Sequence, residues 1–137
     1  MSGVLYFDGC SKGNPGPSGS GAFIEGHWSG SEYVGITTNN VAEYKGLILG
    51  LKHVNMNCKH FKNLTVKGDS MLVINHMTGK YKVKSPHLIP LYNEAKELIQ
   101  DIDVVFLYIP REQNKEADRL ANEGVKEHCV KSIFEFH

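Results

Sequence analysis

The chain has 137 residues, 41% of them hydrophobic, which is the usual size of one domain and enough to bury a core. Fifteen basic and fifteen acidic residues cancel, so no overall positive field draws the chain to nucleic acid or to an anionic surface, and any such binding must rest on local patches. The opening MSGVLYFDG carries only a short apolar run, no later segment approaches the length that spans a bilayer, and three scattered cysteines cannot build a disulfide scaffold. The expectation is a cytoplasmic (intracellular) monomer with no membrane association and reduced thiols, although Cys58 and Cys129 could meet in space.

Val4 to Phe7 reads as a strand that stops at Asp8-Gly9, and SKGNPGPSGSG after it reads as a glycine and proline loop. The short β-compatible runs AFIE and Trp28 to Ile36, separated by Gly26 and His27, continue the first strand as an antiparallel meander. From Asn40 the apolar spacing becomes helical through Val41, Tyr44, Leu47, Ile48 and Leu51, with Asn40 as the natural cap. Leu64 to Lys67 is a strand ending at Gly68-Asp69. Ser70 to Met77 has helical spacing until Gly79 stops it.

In GKYKVKSP, Lys80, Lys82 and Lys84 would point one way from an extended segment, as a nucleic-acid patch or as a solvated lysine edge. Pro86 suits the first turn of the next helix, whose face is Leu88, Leu91, Tyr92, Ala95, Leu98 and Ile99. Val104 to Ile109 reads as a buried strand closed by Pro110, and a last helix buries Ala117, Leu120, Ala121, Gly124 and Val125. Residues 1–128 are expected to form the catalytic domain. Residues 129–137 form a tail whose Ile133, Phe134 and Phe136 are expected to pack back on the same body.

The order is three strands, helix, strand, one or two helices, strand, helix, an α/β layer with helices covering a mixed sheet. The right-handed crossover rule makes the first and fourth strands parallel neighbours, and their carboxyl ends, where such sheets bind ligands, carry Asp8 and Asp69. Each acid has a plain structural reading: Asp8 as half of a turn-forming Asp-Gly pair, Glu43 as partner of Asn40 in a capping box, Asp69 as a helix cap, Asp118 as a surface acid near Lys115. The four together could converge on one cleft, where carboxylates repel strongly unless a cation intervenes; that points to a hard divalent metal, Mg²⁺ by preference. Two such ions about 3.5–4 Å apart would activate a water on one side of a phosphodiester and stabilise the leaving oxygen on the other.

FDGCSKGNPGPSGSGAF, TTNNVAEYKGLILGL, KGDSMLVINHMTGKYKVKS and PREQNKEADRLANEG, in this order, resemble the four acid-bearing motifs of the type 1 ribonuclease H family, in the compact form of its archaeal members. The resemblance implies the ribonuclease H-like fold, a five-stranded mixed sheet in the order 3-2-1-4-5. It implies an endonuclease that hydrolyses the RNA strand of RNA/DNA hybrids by two Mg²⁺ ions, with Mn²⁺ a substitute, leaving 5′-phosphate and 3′-hydroxyl ends. Asp8, Glu43, Asp69 and Asp118 would be the metal-binding catalytic acids; Gly9, Asn14, Asn39 and Asn40 would contact the hybrid's minor groove, and Thr38 a DNA phosphate. Double-stranded RNA is left open as a second substrate.

Three departures stand out. Many members place a histidine in a loop before the last helix; here Arg111 follows Ile109-Pro110, and a guanidinium can steer a phosphate but cannot exchange a proton. Gly79 to Pro86 is too short for the basic helix some members insert, which with the neutral net charge implies weak, salt-sensitive substrate binding. Met71 stands where several members carry a minor-groove glutamine. A nucleic-acid-binding module without activity, or another nuclease on this scaffold, are the competing classes.

Overall fold

The computed structural model of the chain describes the backbone of residues 2–135 and the side chains of residues 2–128. Its elements are β1 (Ser2–Ser11), β2 (Gly16–Ile24), β3 (Trp28–Thr37), α1 (Asn39–Asn57), β4 (Asn63–Gly68), α2 (Met71–Met77), α3 (Ile89–Leu98), β5 (Asp103–Tyr108), a single 3₁₀ turn at Arg111–Gln113, and α4 (Lys115–Glu135). They form one five-stranded sheet in the order β3-β2-β1-β4-β5, the expected architecture.

β1, β2 and β3 are the antiparallel meander, while β1 and β4 run parallel with Phe7 opposite Gly68 as their last pair. β5 lies parallel to β4 and forms the other edge. Alternate residues of β2 face opposite ways: the Ser20 hydroxyl donates to Ala42 of α1, while any Cβ at Gly21 would meet Ala117 of α4. Helices therefore cover both faces. The main core, with Leu5, Phe7, Ile24, Leu47, Leu51 and Val66 at its centre, fills the space between the sheet and α1 to α3. No helix among the described residues is long and apolar enough to cross a membrane.

The boundaries differ from the sequence reading in four places. β1 continues past Asp8 to Ser11 and β2 begins at Gly16, so most of the expected loop is strand, and Lys12 N–H donating to the Pro17 carbonyl closes a tight end. α1 is capped by Thr38, whose hydroxyl accepts from Val41 N–H, so Asn40 is already helical and the capping box with Glu43 does not form. Ser70, rather than Asp69, caps α2, so the Asp69 carboxylate takes no part in the cap. α3 starts at Ile89 with Pro90 in its first turn, the position foreseen for Pro86.

Gly79, at φ +80 just beyond Thr78, ends α2 as its position predicts. The backbone of α4 runs on through residue 128 to Glu135. The expected packing of Ile133, Phe134 and Phe136, and any pairing of Cys58 with Cys129, fall outside the described side chains.

Candidate active site

β1 and β4 end side by side, so Asp8, one residue past the last ladder pair on β1, and Asp69, one past it on β4, are carried to neighbouring positions by backbone register alone. Glu43 reaches them from α1 because two glycines let that helix press onto β1. A Cβ at Gly46 would overlap the Asp8 carbonyl oxygen, and one at Gly9 would overlap the backbone between Ala42 and Glu43. A glycine inside a helix costs about 1 kcal/mol against alanine, so its presence at Gly46 marks a close approach that a side chain would prevent.

Asp8, Glu43 and Asp69 thus offer carboxylate oxygens that all lie within 4.8 Å of one another. Asp118, in the first turn of α4, completes the set: it is close enough to accept a hydrogen bond from protonated Asp8, and its Oδ1 lies 3.6 Å from Arg111 Nη2. Asp8 is 4% exposed. Burial, with Asp69 and Asp118 close by, lifts its carboxyl to about 7 against the opposing bond from Glu43; burial and then Asp8 likewise hold Glu43 well above the usual carboxylate range.

Glu43 Oε2 is buried with no hydrogen-bond partner. A buried carboxylate oxygen without a donor, among three more carboxylates, suits a hard cation with oxygen ligands, and the donor set fits Mg²⁺.

Asp8, Glu43 and Asp69 line a cleft of about 490 Å³ together with Gly9, Asn39, Asn40 and Arg111. Asn14 and Thr38 line an adjoining cavity with Lys45 and His87, and Lys80, Lys82 and Lys84 line a third with His76; Asn40 borders all three. The alternating lysines therefore do face one hollow. Asn39 and Asn14 also have a structural task, since Asn39 Oδ1 accepts from Ser11 N–H at 2.8 Å and Asn14 Oδ1 from Asn39 N–H at 3.0 Å, tying the β1–β2 loop to α1.

Three residues at the site escaped the sequence reading. Asn114 is buried against Asp69, and the only signal for it was an asparagine just ahead of a helix, which reads as a cap. Lys12 and Asn122 join across the cleft mouth at 2.5 Å, a contact between residues far apart in sequence that no local pattern announces.

Residues 6–124 match the family described as Reverse transcriptase-like. Over 133 residues the chain is 39% identical to a bifunctional protein of Mycobacterium tuberculosis, covering 89% of this chain and 35% of that protein. It is 36% identical over 129 residues to Ribonuclease HI of Halobacterium salinarum, covering 88% of this chain and 62% of that one. The chain thus spans about a third of the first relative's length and just under two thirds of the second's. Among solved structures, LC11-RNase H1 in complex with an RNA/DNA hybrid superposes with a TM-score of 0.87 at 36% identity, over 93% of this chain and 99% of that chain. Sheet order, acid cluster and these matches agree, and the chain belongs to the Reverse transcriptase-like family as a type 1 ribonuclease H relative.

Proposed function

We propose that this chain is an endonuclease that hydrolyses the RNA strand of RNA/DNA hybrids, leaving 5′-phosphate and 3′-hydroxyl ends. The observation that carries it is the convergence of Asp8, Glu43 and Asp69 within 4.8 Å, with Asp118 beside Asp8, in a cleft bordered by Asn39 and Asn40. The likeness to a structure solved with an RNA/DNA hybrid supports the choice of substrate.

The four acids would hold two Mg²⁺ ions, or Mn²⁺ in their place, which when bound supply Lewis-acid activation of water and of the phosphodiester. The protein's own part begins with protons. Burial keeps a proton on the Asp8–Glu43 pair near neutral pH, so loading the site releases it, and cation affinity rises with pH. No side-chain nucleophile is assigned: Cys10 lines the cleft, but burial raises its thiol and keeps it protonated. Asn14, Asn39 and Asn40 would read the minor groove, where the 2′-hydroxyl separates RNA from DNA; Thr38 would hold a DNA phosphate and Arg111 steer one.

The test is cleavage of an end-labelled hybrid in Mg²⁺ by wild type and by Asp69→Asn, with a chelator control and with single-stranded RNA, double-stranded RNA and duplex DNA alongside. Hybrid-selective cleavage lost in the variant and the chelator is the expected result. A folded wild type inert in both Mg²⁺ and Mn²⁺ would overturn the proposal.

A further inference from the structure

Both acids lie one residue beyond the last pair of the β1–β4 ladder, Phe7 with Gly68, so strand register brings their backbones together but does not orient their side chains. Asp118 stands on a helix that has no ladder to either strand. One buried residue touches all three positions. Asn114, 1% exposed, uses both hydrogens of its side-chain amide: Nδ2 donates to the carbonyl of Phe7, next to Asp8, at 2.9 Å, and to Asp69 Oδ1 at 3.2 Å. Its own backbone carbonyl accepts from the Asp118 amide at 3.1 Å, the opening bond of α4. Side chain and backbone together thus make this residue a three-way junction between the two strand ends and the helix.

Asn114 Oδ1, by contrast, is buried without a partner. Chosen only to fill space, this position would be better served by an apolar side chain of the same shape, which brings no buried acceptor of its own. The residue is kept for its two donors, and an N–H aimed at a carboxylate orients it.

We infer that Asn114 is the positioning residue of the acid cluster: it fixes the Asp69 carboxylate and the start of α4 relative to Asp8, and so sets the affinity of the site for Mg²⁺. The inference rests on the reading of these acids as the cation site. It concerns a residue that touches neither substrate nor the reacting atoms.

The experiment compares wild type with Asn114→Leu, which keeps the branched shape and removes every polar atom, and with Asn114→Ala. Thermal unfolding in chelator reports the fold, calorimetric titration with Mg²⁺ alone reports the site, and steady-state hybrid cleavage reports the reaction. Asn114→Leu is expected to stay folded in chelator, at a somewhat lower unfolding temperature because the Phe7 carbonyl loses its donor, yet to bind Mg²⁺ roughly 10–100-fold more weakly, the usual effect of losing an outer-shell partner. At saturating hybrid its kcat should fall about 100-fold with KM nearly unchanged, as for a misplaced group that does not bind substrate.

Wild-type Mg²⁺ affinity and kcat in Asn114→Leu would overturn the inference, and so would failure of both variants to fold, which would make Asn114 a residue of the fold. If wild type binds Mg²⁺ but does not cut the hybrid, the proposed reaction fails while the calorimetric comparison still decides the role of Asn114.

Discussion

The Tyr44 hydroxyl lies 2.7 Å from His76 Nδ1 in the buried interior, and this bond joins the helix that carries Glu43 to the helix that follows Asp69. Burial lowers the histidine's pKa and raises the phenol's, so the neutral ring accepts and the hydroxyl donates. Tyr44→Phe removes the donor and strands a buried ring nitrogen. A loss of about 1–3 kcal/mol is expected, read from urea unfolding at pH 8; a variant as stable as wild type would show that the bond contributes nothing.

Gly46 offers a sharper test of how Glu43 reaches Asp8. Glycine to alanine within a helix ordinarily stabilises by about 1 kcal/mol, but at Gly46 the new methyl overlaps the Asp8 carbonyl and must push α1 off β1. Gly46→Ala is expected to destabilise by about 1–3 kcal/mol, as overpacking does. Hybrid cleavage should fall about 100-fold through displacement of Glu43. Unchanged stability would mean that the helix can slide without loss.

The acid cluster makes stability depend on pH in a direction opposite to most carboxylates. Asp8 has its folded pKa raised from 3.8 to about 7, and Glu43 is raised with it. Between those values the native state holds protons that the unfolded chain has lost, so stability is full below pH 4 on this account and declines as pH rises to 7. In chelator, the contribution of these two groups is therefore expected to lower the unfolding temperature from pH 4 to 7. Mg²⁺ should reverse the decline at its upper end, and Asp8→Asn should flatten it. An unfolding temperature equally pH-dependent in wild type and Asp8→Asn would assign the effect to other groups.

Much of this site was legible because register and motif carry it: Asp8 and Asp69 meet through a crossover that the strand–helix alternation predicts, and both lie where a strand pattern stops. What was not legible depends on contacts distant in sequence. Thr38 takes the cap from Asn40 because Asn39 is drawn to Ser11 and Asn14 in another loop, and local propensity does not contain that loop. β2 starts six residues earlier than its apolar run because Gly16 to Gly21 pair with β3 and leave room for α4, so glycines that read as loop are packing surface. The role of Asn114 is hidden for the same reason: its partners, Phe7 and Asp69, lie 107 and 45 residues away.

Arg111 sits at the rim of the acid cleft beside Asp118, and its geometry separates two roles. Its guanidinium lies 3.6 Å from Asp118 but is 76% exposed, so as an ion pair it contributes under about 1 kcal/mol. As a permanent charge at the rim of the cleft it can bind a phosphate and cannot carry a proton. Arg111→Ala is therefore expected to leave the unfolding temperature nearly unchanged while raising KM for the hybrid about 10-fold at low salt. It should also reduce the slope of log affinity against log salt by about 1, the mark of one lost phosphate contact. Arg111→Lys should restore most of the slope, because the lost contact is one of charge. If kcat falls while KM and the salt slope stay at wild-type values, Arg111 acts by orienting Asp118, and the phosphate contact is excluded.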